Sequence, residues 1–261
     1  IQHTKPLVNS GRIPKKRIED AVRRILRVKF EFGLFDKPRP AERKLSKQTE
    51  IFGSKEHRDV ALEAVRKSLV MLKNDDALLP LEKSTRILVA GKNANNRGHQ
   101  CGGFPVNWQG AISNEEIVGG QSIWEGIQTL APSAVLSDNL EGNEANPDQH
   151  DVAIVVIGET PYAEMLGDIR VPGLLQEYST FPNSTPIPLD DSEVAEVYAS
   201  NLYLHEMHPE DIATINNITS RGVPVVAVML GGRPLVVEKE LEASSAFVMA
   251  WLPGSEGHGV A

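Results

Sequence analysis

The chain has 261 residues, 41% of them hydrophobic and 24% charged, with a formal net charge of −8. That is enough apolar material for a substantial core, and the acidic balance argues against a surface built to neutralise phosphates, so nucleic acid is not an expected partner. Cys101 is the single cysteine, which excludes an intrachain disulfide; no His/Cys spacing for zinc occurs and no apolar run approaches the roughly 20 residues of a membrane span, so neither a metal, a cofactor nor a membrane span is expected.

The first element is a helix over about Pro14 to Phe32, where Ile18, Val22, Ile25 and Leu26 recur at helical spacing, Pro14 suits the first turn and Gly33 ends it. Its basic residues are interrupted by Glu19 and Asp20 and read as a solvated face. From Asp36 to Gly53 periodicity is lost and Pro38 and Pro40 appear among mixed charges, the composition of a linker. Ser54 then stands before HRDVALEAVRKSLVMLKN, whose stripe of Val60, Ala61, Ala64, Val65, Leu69 and Leu72 predicts one helix lying against a sheet.

Arg86 to Ala90 is the first buried strand, followed by GKNANNRGHQCGGFPVNWQG. This loop lacks GxGxxG and GxxxxGK[ST], which disfavours a nucleotide-binding domain. It is rich in Asn, Gln and Gly and carries Phe104 and Trp108; such a loop can hydrogen-bond hydroxyls and stack an apolar face, or its aromatics can fill the core beneath it. Gln121 to Leu130 predicts a helix and Ala134 to Ser137 a short edge strand.

The stretch DVAIVVIGETPYAEMLGD, Asp151 to Asp168, reads as a strand covered on both faces and delivering an acidic loop, with Glu159 and Glu164 just past its carboxyl end. In open α/β sheets that is the side on which ligands bind. The spacing by itself favours neither glutamate. Residues 171–191 are Pro-rich and patternless, too long for an ordinary connection and so expected to be either a functional loop or a mobile flap. Pro209 opens a helix to Ser220, Pro224 to Leu230 is another buried strand, and Ala246 to Trp251 a further one before PGSEGHG. His205, Glu206 and His208 fall short of the HExxH spacing and read as a polar loop or helix start. Buried strands separated by helices predict an α/β fold with a mainly parallel sheet and helices on both faces.

IEDAVRRILRVKFEFGLF, HRDVALEAVRKSLVMLKN, GKNANN with GGFPVNWQG, AIVVIGETPYAEMLGD and AWLPGSEGHGVA together resemble glycoside hydrolase family 3, in its bacterial exo-acting β-glucosidase type. The resemblance spans nearly the whole chain. It implies that residues 1–35 end a (β/α)8 barrel that is otherwise absent, that 36–52 are a linker, and that 53–261 form a C-terminally truncated α/β sandwich. It implies a β-glucoside or β-glucan substrate and a periplasmic or secreted location. It also makes Glu164 the general acid/base, Trp108 an aromatic stacking beyond the scissile bond with Phe104 beside it where some relatives carry a second Trp, and Glu159 a supporting residue. Asp168 reads as a loop-fixing acceptor. The nucleophile would be an aspartate on the barrel, so the chain alone is expected to be inactive. The alternative is a non-catalytic carbohydrate-binding or structural module.

Overall fold

The computed structural model describes residues 3–163 and 202–261. The chain divides into two compact units, Ile1–Ser54 and Lys55–Ala261. The first holds α1 (Thr4–Asn9) and α2 (Lys15–Glu31). Pro14, extended at φ −60° and ψ 135°, precedes the first turn of α2, where its missing N–H is no loss. The helix ends where Gly33, at φ 62°, donates to the carbonyl of Phe30 at 2.8 Å. Phe30 and Phe35 then meet with ring centroids 4.4 Å apart.

The second unit is built on a six-stranded sheet. Helix α3 (Lys55–Ser68) leads into β1 (Val70–Asn74), and β2 (Ile87–Ala90) is followed by α4 (Arg97–Cys101), α5 (Ile123–Leu130) and β3 (Val135–Leu136). Next come β4 (Val152–Gly158), α6 (Leu204–Met207), α7 (Pro209–Thr219), β5 (Val225–Leu230), α8 (Glu238–Ala243) and β6 (Ala246–Trp251). The strand order is β1-β6-β5-β4-β2-β3, with β1 antiparallel to β6 and every other pair parallel.

The single helix expected from His57 to Asn74 is a helix and a strand. Leu69 and Leu72 continue the helical spacing of α3, but Val70, Met71, Lys73 and Asn74 pair across to Met249, Val248, Phe247 and Ala246. An edge strand gains ladder pairing there, with its register shifting between Met71 and Lys73, which a further helical turn would forgo, and tertiary pairing overrides the local period. The remaining strands fall within a residue or two of their expected positions.

Alternation along the parallel strands divides the core. Ile87, Val89, Val152, Val156, Val226 and Val228 face α5 through Ile123, Trp124 and Ile127. Leu88, Ala90, Ala153, Val155, Ile157, Val225 and Ala227 face α6 and α7 through Leu204, Ile215 and Ile218. With both faces covered, β4 and β5 read as unbroken apolar runs. Helix α5 is fixed at its start by a capping box, Ser122 accepting from the Glu125 N–H while the Glu125 side chain accepts from that of Ser122. At the opposite end of the sheet, the Arg86 guanidinium holds the Asp151 carboxyl down at about 2 and ties the starts of β2 and β4 together.

Candidate active site

From β2 the chain crosses outward to β3 and then returns to the other side of β2 as β4, so the connections diverge at the carboxyl ends of β2 and β4. That divergence is where doubly wound sheets leave a crevice for ligands. Four segments meet around it: the long loop after β2, the loop of residues 159–163 after β4, the turn after β5 and the turn after β6.

Glu159 is the first residue beyond β4 and is 4% exposed. Its N–H donates to the Leu230 carbonyl at 3.1 Å, continuing the β4–β5 ladder by one residue. One carboxylate oxygen, Oε1, accepts from Arg233 Nε at 2.9 Å, and Oε2 accepts from the Tyr162 hydroxyl at 3.0 Å. The guanidinium also lies 5.6 Å from the Tyr162 ring centroid, in cation–π range. Glu159, Tyr162 and Arg233 thus close a ring that pins the turn 159–163 to the end of β5.

The aromatic loop is fastened to the same turn. Gln109 Oε1 accepts from the Ala163 N–H at 2.9 Å. At Gly103 a Cβ would stand 2.3 Å from the Tyr162 carbonyl oxygen, and at Gly110 one would stand 2.6 Å from Pro161 Cβ. Only glycine at both positions allows the loop and the turn to approach so closely. Gln100, fully buried, donates from Nε2 to the Gln121 carbonyl at 2.8 Å and to that of Gly254 at 2.7 Å, binding this loop to the turn after β6.

Phe104 and Trp108 do not fill the core: they are 63% and 45% exposed. Phe104 adopts φ 73°, and its N–H donates to the Trp108 carbonyl at 3.2 Å, closing the loop so that both side chains stand at its surface. Arg97 serves the loop itself, with Nη2 donating to the Asn114 carbonyl at 3.1 Å. His99 Nδ1 lies 2.7 Å from Asn93 Oδ1. Glu164 and Asp168, with the 171–191 loop, lie outside the described residues.

Beside this ring is a second polar group that the sequence reading did not assemble. Lys92 reaches Glu210 at 2.5 Å and Asp211 at 3.3 Å. Asp211 accepts from the Gly158 N–H at 2.8 Å. Burial pushes the Asp211 carboxyl up to about 7, against the pull of Lys92 and of the Gly158 amide. Burial and then the Lys92 cation push His99 and His208 down to about 4, so both imidazoles are neutral near neutral pH. Arg233 is a further residue that its spacing did not single out, although GGRP follows a buried strand as Gly158 and Glu159 end β4.

The sequence profile of the glycosyl hydrolase family 3 C-terminal domain matches residues 69–261. The chain is 28% identical to a lysosomal beta glucosidase of Dictyostelium discoideum, over 96% of this chain and 29% of that protein. It is 27% identical to a periplasmic beta-glucosidase of Salmonella typhimurium, over 96% of this chain and 32% of that protein. It therefore spans about a third of the length of these relatives. Among solved structures, an exo-1,3/1,4-beta-glucanase from Pseudoalteromonas sp. superposes with a TM-score of 0.79 at 41% identity, covering 99% of this chain and 29% of that one. A beta-glucosidase from Listeria innocua shares the fold, with a TM-score of 0.70 at 23% identity over 98% of this chain and 31% of its own.

Proposed function

Because the chain belongs to glycosyl hydrolase family 3, matching its C-terminal domain, we propose that it brings the proton donor and part of the aglycone subsite to a retaining exo-β-glucosidase acting on β-linked glucosides or glucans from the non-reducing end. In this reading residues 1–35 end an N-terminal (β/α)8 barrel, 36–52 form a linker and 53–261 the α/β sandwich. The nucleophilic aspartate stands on the barrel. A periplasmic or secreted location belongs to the same proposal, and the name of the Salmonella relative supports it.

One observation carries the reading. The turn 159–163, pinned by Glu159, Arg233 and Tyr162 and fastened through Gln109 beside the exposed Trp108, runs in sequence directly into Glu164. A retaining hydrolase sets two carboxyl groups about 5–5.5 Å apart, one attacking the anomeric carbon while the other protonates the departing oxygen and later deprotonates water. Glu164 takes the second role, and the negative charge of the nucleophile across the cleft raises its pKa so that it holds its proton. Both oxygens of Glu159 are engaged as acceptors, the wrong disposition for a donor, so it positions the turn. Trp108, with Phe104 beside it, offers an apolar face to the sugar beyond the scissile bond, and Asp168 fixes the loop as an acceptor.

Kinetics in a polypeptide joining this chain to its barrel test the assignment. Glu164→Gln should lower kcat on glucosides with poor leaving groups by about 10²–10⁴-fold, with partial rescue by azide on an activated aryl glucoside. Glu159→Gln should leave turnover insensitive to azide. The reverse pattern would overturn the assignment, and enzyme-like hydrolysis of an aryl β-glucoside by the 261-residue chain alone would refute a nucleophile on the barrel.

A further inference from the structure

Strand β2 pairs with β4 only as far as Ala90 opposite Val155, and the chain then turns away at Gly91. The last part of β4 therefore has no strand on that side. Its Val156 carbonyl accepts from the Asn93 N–H at 3.3 Å, and its Gly158 N–H donates to Asp211 Oδ2 at 2.8 Å. Asp211 belongs to the first turn of α7 and its side chain is 1% exposed. A carboxylate is an expensive choice for such a place, since taking it out of water costs several kcal/mol and an apolar or amide side chain would pack there without that penalty. Lys92, 20% exposed and 3.3 Å away, offsets part of the cost and is shared with Glu210.

We infer that Asp211 is a positioning residue: by taking the Gly158 N–H it sets the carboxyl end of β4, and with it the direction in which the turn 159–163 leaves the sheet. Its relevance to catalysis rests on the function proposed above; the positioning itself does not. Two anchors then hold the turn from opposite sides, Arg233 beyond β5 through the Glu159 carboxylate and Asp211 on α7 through the preceding amide. The charged and titratable groups around Asp211 are Lys92, Glu210, His208 and His99. Burial raises Glu210, but hydrogen bonding to Lys92 and the charge of that lysine outweigh it and the net shift is downward. Both imidazoles titrate near 4. The group of this cluster that changes charge near neutral pH is the Asp211 carboxyl.

Amide NMR and hydrogen exchange on the 261-residue chain test this without turnover, so the result is separate from the Glu164 kinetics. The Gly158 amide should titrate with a midpoint about 7. Asp211→Asn keeps an acceptor and should abolish that titration while leaving exchange at Glu159, Thr160, Tyr162 and Ala163 close to wild type. Above pH 7, where the carboxyl is ionised, Asp211→Leu should speed exchange at those amides about tenfold relative to mid-β4, the loss of one charge-assisted hydrogen bond. Should the leucine variant not fold, Lys92→Met removes the cation that favours the anion and should move the Gly158 midpoint upward by about one pH unit. A Gly158 titration that persists in Asp211→Asn, unchanged exchange in Asp211→Leu, or a midpoint that stays or falls in Lys92→Met would each overturn the inference.

Discussion

Replacing Glu159 with alanine gives the sharpest test of how the candidate site is held. The carboxylate side chain is 2% exposed and its Arg233 partner 13%, with 2.9 Å between them. Removing one side of a buried ion pair costs about 3–5 kcal/mol, because the other charge stays out of water facing a cavity. Loss of the Tyr162 hydrogen bond adds about 1 kcal/mol. Against a total stability of about 5–15 kcal/mol this is a large fraction, and in a unit of this size it lowers Tm by about 10 °C. Urea unfolding of the wild type, Glu159→Ala, Arg233→Met and the double variant measures it. The double variant should be more stable than Glu159→Ala, since deleting both charges removes the uncompensated one. If Glu159→Ala loses less than about 1 kcal/mol, the value of an exposed pair, the ring is not the buried anchor described above.

Stability should depend on pH through the cluster beside the ring. His99 and His208 are neutral in the folded chain down to about 4 but charge near 6.5 when unfolded, so the stability they hold is lost as pH falls across that window. Asp211 acts oppositely: it stays protonated in the folded chain up to about 7 and ionises near 3.9 when unfolded, so its contribution declines as pH rises between those values. Asp211→Asn should therefore gain stability relative to wild type by about 3 kcal/mol on going from pH 5 to pH 8, read by urea unfolding at the two pH values; a constant difference would refute the assigned protonation. Ser122→Ala removes the capping box of α5 and the bond from Ser122 Oγ to Asn95 Oδ1 at 2.8 Å, and should cost about 1–2 kcal/mol in the same measurement. Gly103→Ala drives a methyl group against the Tyr162 carbonyl and should cost about 1–3 kcal/mol, with faster exchange confined to the 102–110 and 159–163 loops.

The parallel strands were legible because burial on both faces leaves continuous apolar runs, and β4 and β5, ended by Gly158 and followed by Gly231, carried that signal most clearly. Strand β1 was not, because Leu69 and Leu72 prolong the stripe of α3 and nothing local reveals the β6 edge they approach. At the site, Glu159 and Glu164 could be picked out as carboxylates at a strand end, and the exposure of Phe104 and Trp108 decides against the core-filling alternative that composition left open. Asp211 and Lys92 were invisible for a different reason. An acidic residue in the first turn of a helix is ordinary solvent-facing chemistry by sequence, and only the topology brings it to a strand end that its own neighbour has left unpaired.

The aromatic loop meets the turn after β4 at two glycines, Gly103 against the Tyr162 carbonyl and Gly110 against the Pro161 ring, with the Gln109 amide oxygen accepting across it from the Ala163 N–H. The side chains at 104 and 108 are themselves exposed. An exchange at 104 or 108 changes the surface offered to solvent while the two glycines of the joint stay in place. The surface the loop offers is set by its side chains, whereas the close approach beneath it is set by the two glycines, and a Cβ at Gly103 costs about 1–3 kcal/mol.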